Sequence, residues 1–199
     1  MDAEEWDERY AASDLVWSAE PNQFVVTLTD DLEPGTAIDV GAGEGRNALW
    51  LADRGWAVTA VDFSSVAVER GRARAGGANV DWQVADVTSY APDERVDLVL
   101  VCYLHLPRKV MRRVLDHAAS WVAPGGHLVV VGHAVRNLAD GIGGPQDRDR
   151  LQDEDMLAEA AQALVVERLE EVERTTPDGV AVDVLLRARR DAAATLTSP

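Results

Sequence analysis

Apolar residues follow two rhythms along this chain: short β-branched runs, and longer stretches with apolar residues at helical spacing. The short runs predict strands, at 57–61, Val80–Val84, Val96–Cys102, 127–132, 165–174 and 180–189. The longer stretches predict helices, at 47–54, 64–74, 108–122 and 153–164. A further strand ends at the glycine-rich segment after Asp39. This order predicts a doubly wound α/β fold with a mostly parallel seven-stranded sheet and an antiparallel edge strand.

The breaks between these segments carry turn residues. A Pro-Asp-Gly turn at 177–179 joins the last two strands, and the glycine-rich stretch 136–150 predicts a loop. With 199 residues, the chain has the length of one domain, since domains usually run about 100–200 residues. We therefore expect a single domain over 1–190, followed by a poorly ordered Ala-rich tail over 191–199.

The segment 39–47 holds three alternating glycines, Gly41, Gly43 and Gly45, between a strand and a helix. Without a Cβ, a glycine can adopt a positive φ and lets a ligand approach the backbone closely. The helix that starts near Arg46 points its free N–H groups toward the same space. The segment therefore predicts a binding loop for a nucleotide-like ligand.

The spacing of this loop distinguishes between such ligands. Dinucleotide sites use G-x-G-x-x-G, and counting from Gly41 puts Arg46 where that pattern needs its third glycine for close helix packing. A phosphate-binding loop needs G-x-x-x-x-G-K-S/T, and neither Gly-Lys-Ser nor Gly-Lys-Thr occurs in the chain. The spacing thus argues against NAD and against ATP.

Acidic residues follow the next two predicted strands. Asp62 ends the run 57–61, about 20 residues after Gly41, where a βαβ nucleotide site places its ribose-binding carboxylate. Asp86 follows the strand Val80–Val84. Ligands of open parallel sheets bind over the carboxyl ends of the strands, so we expect these acids to lie beside the glycine loop. Each acid by itself is also compatible with an ordinary loop residue.

Composition limits the kinds of partner and site that the chain can have. Lys and Arg number 19 against 35 Asp and Glu, a net charge of −16, which repels polyanions, so no nucleic-acid partner is predicted. The N-terminus is acidic and no apolar stretch reaches about 18 residues, so we expect no membrane segment and a cytoplasmic protein. The single cysteine, Cys102, excludes a disulfide within the chain and a cysteine-based metal cluster, and no metal site is predicted.

The pattern D-x-G-x-G-x-G from Asp39 to Gly45 resembles motif I of class I S-adenosylmethionine-dependent methyltransferases. From Trp6 to about Arg189 the chain is similar to the small methyltransferases of the tellurite-resistance and thiopurine type. The Pro-Gly-Gly turn at 124–126 is similar to a structural signature of that family. The resemblance implies a Rossmann-like methyltransferase fold with S-adenosylmethionine as cofactor.

By that resemblance, Asp39 would lie near the cationic methionine end of the cofactor, Asp62 would bind the ribose hydroxyls, and Asp86 would accept from the adenine amino group. Cys102 would lie where the chain of that family passes the methyl sulfonium. The residues expected at the cofactor are Asp39, Gly41, Gly43, Gly45, Arg46, Asp62, Phe63, Asp86, Val87, Cys102, Tyr10 and Trp6.

The sequence at the end of the fourth predicted strand lacks the motifs of two related methylation reactions. It continues through Tyr103 to Pro107 without N-P-P-Y or D-P-P-Y, so amino-adenine and glutamine N-methylation lack their clamp. No proline precedes Cys102, so the covalent cytosine C5 mechanism has no counterpart. We expect Cys102 to line the cofactor or to pack in the core.

Two histidines are candidates for a catalytic group. His105 follows the fourth strand and His133 ends the fifth, where a base could deprotonate or orient an acceptor. A capping role at the turn before Pro107 is the structural alternative for His105. His117, within a helix, and His127, before a strand, are expected to be structural.

Trp6 and Tyr10 are spaced i, i+4 on a predicted N-terminal helix, and Trp17 follows. In the resembling family this segment covers the cofactor and excludes water, so 1–22 is a candidate lid. Packing of these rings against the sheet explains the spacing equally well. The loop 140–146 is either a substrate rim or a flexible connection.

The leading hypothesis is an S-adenosylmethionine-dependent methyltransferase acting on a small molecule: a thiol, amine, hydroxyl or chalcogen oxyanion. A base at His105 or His133 is needed only if the acceptor must lose a proton. The alternatives are an S-adenosylmethionine-binding protein without turnover and an NAD-dependent oxidoreductase, which Arg46 disfavours. The sequence leaves the acceptor and the oligomeric state open.

Overall fold

The computed structural model of the chain describes residues 3–12 and 18–192. Trp17 and most of the predicted tail 191–199 lie outside the described residues. The chain divides into two compact units, Met1–Pro92 and Asp93–Pro199. Within the described ranges, no helix is long and apolar enough to cross a membrane.

The first unit is built on three parallel strands with helices between them. Its elements are α1 (Ala3–Ala11), α2 (Gln23–Thr29), β1 (Thr36–Val40), α3 (Arg46–Asp53), β2 (Ala57–Asp62), α4 (Ser65–Arg74) and β3 (Val80–Val84). β1 pairs with β2 in the register Val40↔Val61, and β2 with β3 in the register Asp62↔Val84. The carboxyl ends of the three strands therefore lie side by side.

Burial explains why these segments form the core of the unit. β1 is buried from Ala37 to Val40, as expected for a parallel strand covered on both faces. Ala48 and Leu51 give α3 a buried face. Ser64 caps the N-terminus of α4, since its hydroxyl accepts the Ala67 N–H at 3.1 Å.

The second unit holds the other four strands. Its elements are β4 (Val96–Cys102), α5 (Arg108–Trp121), β5 (Val122–His133), α6 (Asn137–Asp140), a 3₁₀ helix (Arg148–Arg150), α7 (Glu154–Ala160), β6 (Val165–Thr176) and β7 (Gly179–Arg189). β4 and β5 are parallel, β7 pairs antiparallel with β5, and β6 pairs antiparallel with β7. β4 is buried from Leu98 to Val101 and β7 from Ala181 to Leu186, so these strands form an apolar centre.

The seven strands form one mixed sheet in the order β3-β2-β1-β4-β5-β7-β6. The predicted α/β fold with a seven-stranded sheet is therefore confirmed. The antiparallel strand is β7, which lies one position in from the edge, and the edge strand is β6.

Several boundaries differ from the predicted ones. β5 starts earlier, at Val122, because Val96 of β4 already pairs with it before a shift of register. α7 ends earlier, at Ala160, because the chain closes into turns in which the Leu164 N–H bonds three residues back. The predicted loop 136–150 contains α6 and the 3₁₀ helix, and α2 has no predicted counterpart.

Candidate functional site

The glycine segment after β1 forms a tight loop at the carboxyl edge of the first unit. Gly41, Gly43 and Gly45 have φ values of 72°, 57° and 76°, in the left-handed region that favours glycine. The N–H groups of Gly41 and Ala42 donate to the carbonyl oxygen of Val61 in β2, at 2.8 and 3.0 Å. The loop is thereby held across the end of β2 before α3 begins.

Two of these glycines leave room for aromatic side chains of the protein itself. A Cβ at Gly43 would lie 2.7 Å from the Tyr10 hydroxyl oxygen, and a Cβ at Gly45 would overlap the six-membered ring of Trp82 in β3. The sequence did not indicate the contact with Trp82. Packing within the unit therefore requires a glycine at 45, whether or not a ligand is bound.

Asp62, at the end of β2, connects the glycine loop to the start of α4. Its Oδ2 accepts the Gly43 N–H at 2.8 Å, and its Oδ1 accepts the Ser64 N–H at 2.9 Å. The side chain is buried, and burial raises the pKa of Asp62 while these two hydrogen bonds oppose the rise. Each carboxylate oxygen keeps a further acceptor site, so two hydroxyl groups could bind there. Phe63, next in the chain, is half-buried.

Asp39, the next-to-last residue of strand β1, has a buried carboxyl group with one oxygen that has no partner among the described residues. It is 1% exposed, and its Oδ2 has no hydrogen-bond partner among the described residues. Burial raises the pKa of Asp39 to about 7; the Arg46 guanidinium opposes the rise, Asp62 adds to it, and a hydrogen bond from the Ala48 N–H opposes it. Arg46 begins α3 and also donates to the Ser18 hydroxyl at 3.2 Å. Because a buried acceptor without a partner is costly, the free oxygen is a candidate for a donor or cation supplied by a ligand.

The turn after β3 carries the next predicted acid. The Ala85 N–H donates to the carbonyl oxygen of Asp62 at 2.9 Å, so this turn lies beside the end of β2. Asp86 is exposed, and its Oδ1 accepts the Thr88 N–H at 2.8 Å. Val87 is buried. The glycine loop therefore lies at the carboxyl edge of the three strands of this unit, together with Asp39, Asp62 and Asp86.

The N-terminal helix α1 lies against this loop and against α4. The rings of Trp6 and Tyr10 are 5.6 Å apart, and Tyr10 is buried. The Asp7 carboxylate accepts the Ser64 hydroxyl and, at 3.3 Å, the Val66 N–H, at the N-terminus of α4 where negative charge is stabilised. The sequence did not indicate Asp7, whose one signal is its place between two aromatic residues on the same helix.

In the second unit, Cys102 ends β4 and Tyr103 follows with an uncommon backbone conformation. Tyr103 has a φ of 54°, which few residues with a side chain adopt. Its hydroxyl donates to Asp183 Oδ2 at 2.8 Å. Burial raises the pKa of Tyr103, and the nearby Asp183 adds to the rise, so the phenol keeps its proton. The Cys102 thiol is half-buried.

His105 and His133, the predicted catalytic candidates, lie together in this unit. Their rings are stacked, with centroids 5.3 Å apart and planes at 11°, and the Tyr103 ring is 4.9 Å from that of His133. Burial lowers the pKa of His105 to about 3, and the neighbouring His133 adds to the effect. His105 is therefore neutral at pH 7, and its Nε2 has no hydrogen-bond partner in the part of the chain that the structure describes.

Asp183 belongs to the same group, and sequence analysis missed it. It lies in β7 and is 0% exposed. Its Oδ1 is 2.9 Å from His133 Nδ1, and its Oδ2 accepts from Arg174 Nε at 2.7 Å and from the Tyr103 hydroxyl. Burial alone would raise the pKa of Asp183, but these partners hold it below its usual value. The available signal was a single acid within the apolar run 180–186.

The other two histidines lie apart from this group. His117 is exposed on α5, with its ring 6.5 Å from that of Trp121. His127 in β5 places its Nε2 3.4 Å from Glu167. Across residues 3–12 and 18–192, no group of three or more His, Cys, Asp or Glu side chains is arranged to hold a metal ion.

Comparison with known proteins assigns the glycine loop and its acids to a family. A family model described as a methyltransferase domain matches residues 37–126. Residues 37–126 are therefore similar to a methyltransferase domain. This segment contains Asp39, the three loop glycines, Asp62 and Asp86.

Two relatives extend the match. An uncharacterized methyltransferase of Mycobacterium tuberculosis is 33% identical over 133 residues, 65% of this chain and 66% of the relative. The ribosomal RNA small subunit methyltransferase C of Alcanivorax borkumensis is 30% identical over 105 residues, 50% of this chain and 32% of that protein. The chain thus spans 32% and 66% of the lengths of these two relatives.

Solved structures share the fold over nearly the whole chain. A protein solved in work on the conversion of a disulfide bond into a thioacetal group during echinomycin biosynthesis has a TM-score of 0.77 at 22% identity, covering 97% of this chain and 93% of that one. The 1,6-didemethyltoxoflavin-N1-methyltransferase of Burkholderia thailandensis has a TM-score of 0.73 at 21% identity, covering 95% and 87%. TehB of Haemophilus influenzae has a TM-score of 0.72 at 18% identity, covering 95% and 67%. These likenesses confirm the predicted Rossmann-like methyltransferase fold, and the match to the methyltransferase domain supports the predicted class of S-adenosylmethionine-dependent methyltransferases.

Proposed function

We propose that the protein transfers a methyl group from S-adenosylmethionine to a small-molecule acceptor, with residues 1–190 acting as one domain. The observation that carries the proposal is the geometry after β1. There Asp62 holds the Gly43 N–H and keeps free acceptor sites, while Asp39 offers a buried oxygen without a partner among the described residues. The match of this segment to the methyltransferase domain family supports the proposal.

The chemistry of these residues fits the cofactor. Its methionine end carries an ammonium and a sulfonium, which suit the free carboxyl oxygen of Asp39. Its ribose carries two hydroxyls, for which Asp62 keeps acceptor sites. We assign the adenine to Phe63, Asp86 and Val87. The buried Asp39 carboxyl would repel a pyrophosphate, which disfavours NAD at this site.

The remaining predicted residues are assigned to positioning and to exclusion of water. When bound, S-adenosylmethionine supplies a methyl group on a positively charged sulfur, so the protein needs mainly to align the acceptor and keep water out. Trp6 and Tyr10 of α1 are assigned to covering the cofactor, and Arg46 and Cys102 to lining it. His105 and His133 are assigned to the acceptor.

We propose a small acceptor in preference to a nucleic acid, and a place in the tellurite-resistance and thiopurine subgroup. The net charge of −16 supports the first proposal, since a polyanion would be repelled. The structural neighbour from Burkholderia thailandensis was solved with 1,6-didemethyltoxoflavin and S-adenosylhomocysteine bound. The likeness to TehB supports the subgroup. A cytoplasmic location is proposed with them.

Replacement of Asp62 tests the cofactor site. Asp62→Ala should abolish S-adenosylmethionine binding in calorimetry, because it removes the proposed ribose acceptor and frees the Gly43 N–H. Asp62→Asn, which keeps the size of the side chain, should weaken binding at least about tenfold, since a hydrogen bond to a charged group is worth about 1.5–3 kcal/mol. Asp53→Ala, at an exposed acid that ends α3, is the control and should bind like the native protein. Native affinity in a folded Asp62→Asn protein would contradict the assignment.

A turnover screen separates the alternatives. Small thiols, amines, phenols and chalcogen oxyanions are incubated with S-adenosylmethionine, and S-adenosylhomocysteine is measured. Tight binding without turnover across the panel would favour a binding protein without activity. Thermal stabilisation by NAD and none by S-adenosylhomocysteine would favour an oxidoreductase.

A further inference from the structure

The contact with Asp183 determines which nitrogen of His133 carries the proton. His133 Nδ1 lies 2.9 Å from Asp183 Oδ1, an ion-pair distance without hydrogen-bond alignment, and neither buried atom has a hydrogen-bond partner in the residues that the structure describes. An ionised carboxylate carries only lone pairs and would repel a second lone pair on Nδ1 at this distance, so the neutral imidazole carries its proton on Nδ1. The neutral His133 ring therefore keeps its lone pair on Nε2.

The surroundings of Asp183 keep its carboxylate charged. Arg174 Nε and the Tyr103 hydroxyl donate to Oδ2 at 2.7 and 2.8 Å, and the Arg174 guanidinium lies 5.8 Å from the centre of the Tyr103 ring. Because Asp183 is fully buried, its charge is poorly screened by water. It would stabilise the imidazolium that forms if His133 Nε2 takes a proton.

His105, the other candidate, has a different environment. Its buried ring is stacked on His133, and the Arg150 guanidinium donates to the His105 carbonyl oxygen at 3.3 Å, which brings a positive charge near. Burial, His133 and Arg150 all lower the pKa of His105, while Asp183 raises it. Of the two stacked rings, His133 is the one whose protonated form has a charged partner.

The loop 141–147, between α6 and the 3₁₀ helix, passes close to the Nε2 edge of His133. Gly144 has a φ of 71°, and a Cβ there would lie 2.5 Å from His133 Cδ2 and 2.9 Å from Nε2. Any larger residue would cover the nitrogen that carries the lone pair. The segment 140–146, for which the sequence predicts a substrate rim or a flexible connection, thus places a glycine beside Nε2.

We propose that Asp183 positions His133 as the general base, so that the acceptor is a hydroxyl or amine that must lose a proton, and neither a thiolate nor a chalcogen oxyanion. This inference rests on the proposed function. The acceptor oxygen or nitrogen forms a bond to the methyl carbon as the carbon–sulfur bond breaks. The electron pair of that bond stays on sulfur, which becomes neutral, and the acceptor proton passes to His133 Nε2. Asp183 then lies beside the His133 imidazolium, while Arg174 and Tyr103 keep their hydrogen bonds to Asp183.

The tautomer of His133 is a test that needs no acceptor. ¹⁵N NMR of the imidazole nitrogens at pH 8 should show Nδ1 protonated and Nε2 unprotonated in the native protein. Asp183→Asn should lose that preference, because the amide can also donate. Asp178→Asn, an exposed acid in the turn between β6 and β7, is the matched control and should leave the His133 signals unchanged. A native His133 with its proton on Nε2 would overturn the proposal.

Turnover is the second test, with phenol and benzylamine beside thiophenol and benzyl mercaptan as probes. The native protein should methylate a protic member of the panel, and Asp183→Asn and His133→Gln should each lower kcat for it by about 10²–10⁴-fold. The KM for S-adenosylmethionine and the melting temperature should change little. Tyr103→Phe, which removes one donor to Asp183, should lower kcat less.

The outcomes separate this inference from the proposed function. Turnover confined to the thiols, or native kcat in folded His133→Gln, would overturn the role of His133. If the native protein binds no S-adenosylmethionine in calorimetry, or binds it without turning over any probe, the proposed function fails instead. In that case the NMR result still decides whether Asp183 orients His133.

Discussion

At the scale of single residues, three buried aspartates differ in their partners, and the partners determine their chemistry. Asp62 accepts two backbone N–H groups. Asp183 meets three side chains that hold its pKa down. Asp39 has one oxygen without a partner in the described chain, and burial raises its pKa to about 7. Asp62 thus holds a loop in place, Asp183 keeps a negative charge, and Asp39 offers an acceptor oxygen.

The raised pKa of Asp39 predicts that the free energy of unfolding depends on pH. The folded protein holds this proton up to a pH of about 7, whereas an aspartate in the unfolded chain releases it near its ordinary pKa of 3.8, so the stability that Asp39 contributes falls as the pH rises from about 4 to about 7. Asp39→Asn removes this loss. Between pH 4 and 7 its free energy of unfolding should rise relative to the native protein by up to about 4 kcal/mol.

Urea unfolding of both proteins at several pH values measures this difference. Asp53→Asn, at the exposed end of α3, is the control and should differ from the native protein by a constant amount. A difference between Asp39→Asn and the native protein that does not change with pH would show that Asp39 is ionised without cost.

At the scale of elements, the first unit depends on close approach between α3, α4 and β3. The Trp82 side chain of β3 is buried. Gly45, at the start of α3, and Gly71, inside α4, both lie against its six-membered ring. Glycine inside a helix costs about 1 kcal/mol relative to alanine. The glycine in α4 is explained by the space that the indole needs.

Gly71→Ala should therefore destabilise the protein by about 1–3 kcal/mol despite the better helix propensity of alanine, because the new Cβ would overlap the ring of Trp82. In a Trp82→Phe background, whose smaller ring leaves space, the same change should cost less or become stabilising. Glu69→Ala, at an exposed position of α4, is the control. Equal costs of Gly71→Ala in both backgrounds, measured by urea unfolding, would refute the packing explanation.

At the scale of the whole molecule, fold and charge answer different questions. Solved structures at 18% and 22% identity share the fold, and one fold can carry many acceptor specificities, so the fold does not name the acceptor. Net charge bears on partners directly, since affinity for nucleic acids depends largely on neutralising phosphates. A net charge of −16 opposes the binding of RNA.

We therefore expect no retention of a structured ribosomal RNA fragment in a gel-shift experiment at about 0.15 M salt, although one relative of this chain is a ribosomal RNA methyltransferase. A basic RNA-binding protein at the same concentration serves as the positive control. Retention that weakens steeply as salt is raised would contradict this expectation and reopen RNA as an acceptor.

Local patterns in the sequence determined the order of strands and helices, the glycine loop and the acids at the strand ends. Each of these depends on residues that are close in the chain, such as the alternation of Gly41, Gly43 and Gly45 or the cap at Ser64. The family followed from the same local motif. The roles of the cofactor and catalytic residues stay predictions until the variants above are measured.

Only the tertiary structure decided which distant residues meet. Tyr103 and Asp183 are 80 positions apart, and Asp7 and Val66 are 59 apart. Spacing along the chain does not predict such contacts, because they depend on how strands are ordered in the sheet and which faces helices cover. The sequence marked His133 as a candidate base. Only the packing of β7 against β5 supplied the buried carboxylate that determines which of its nitrogens is free.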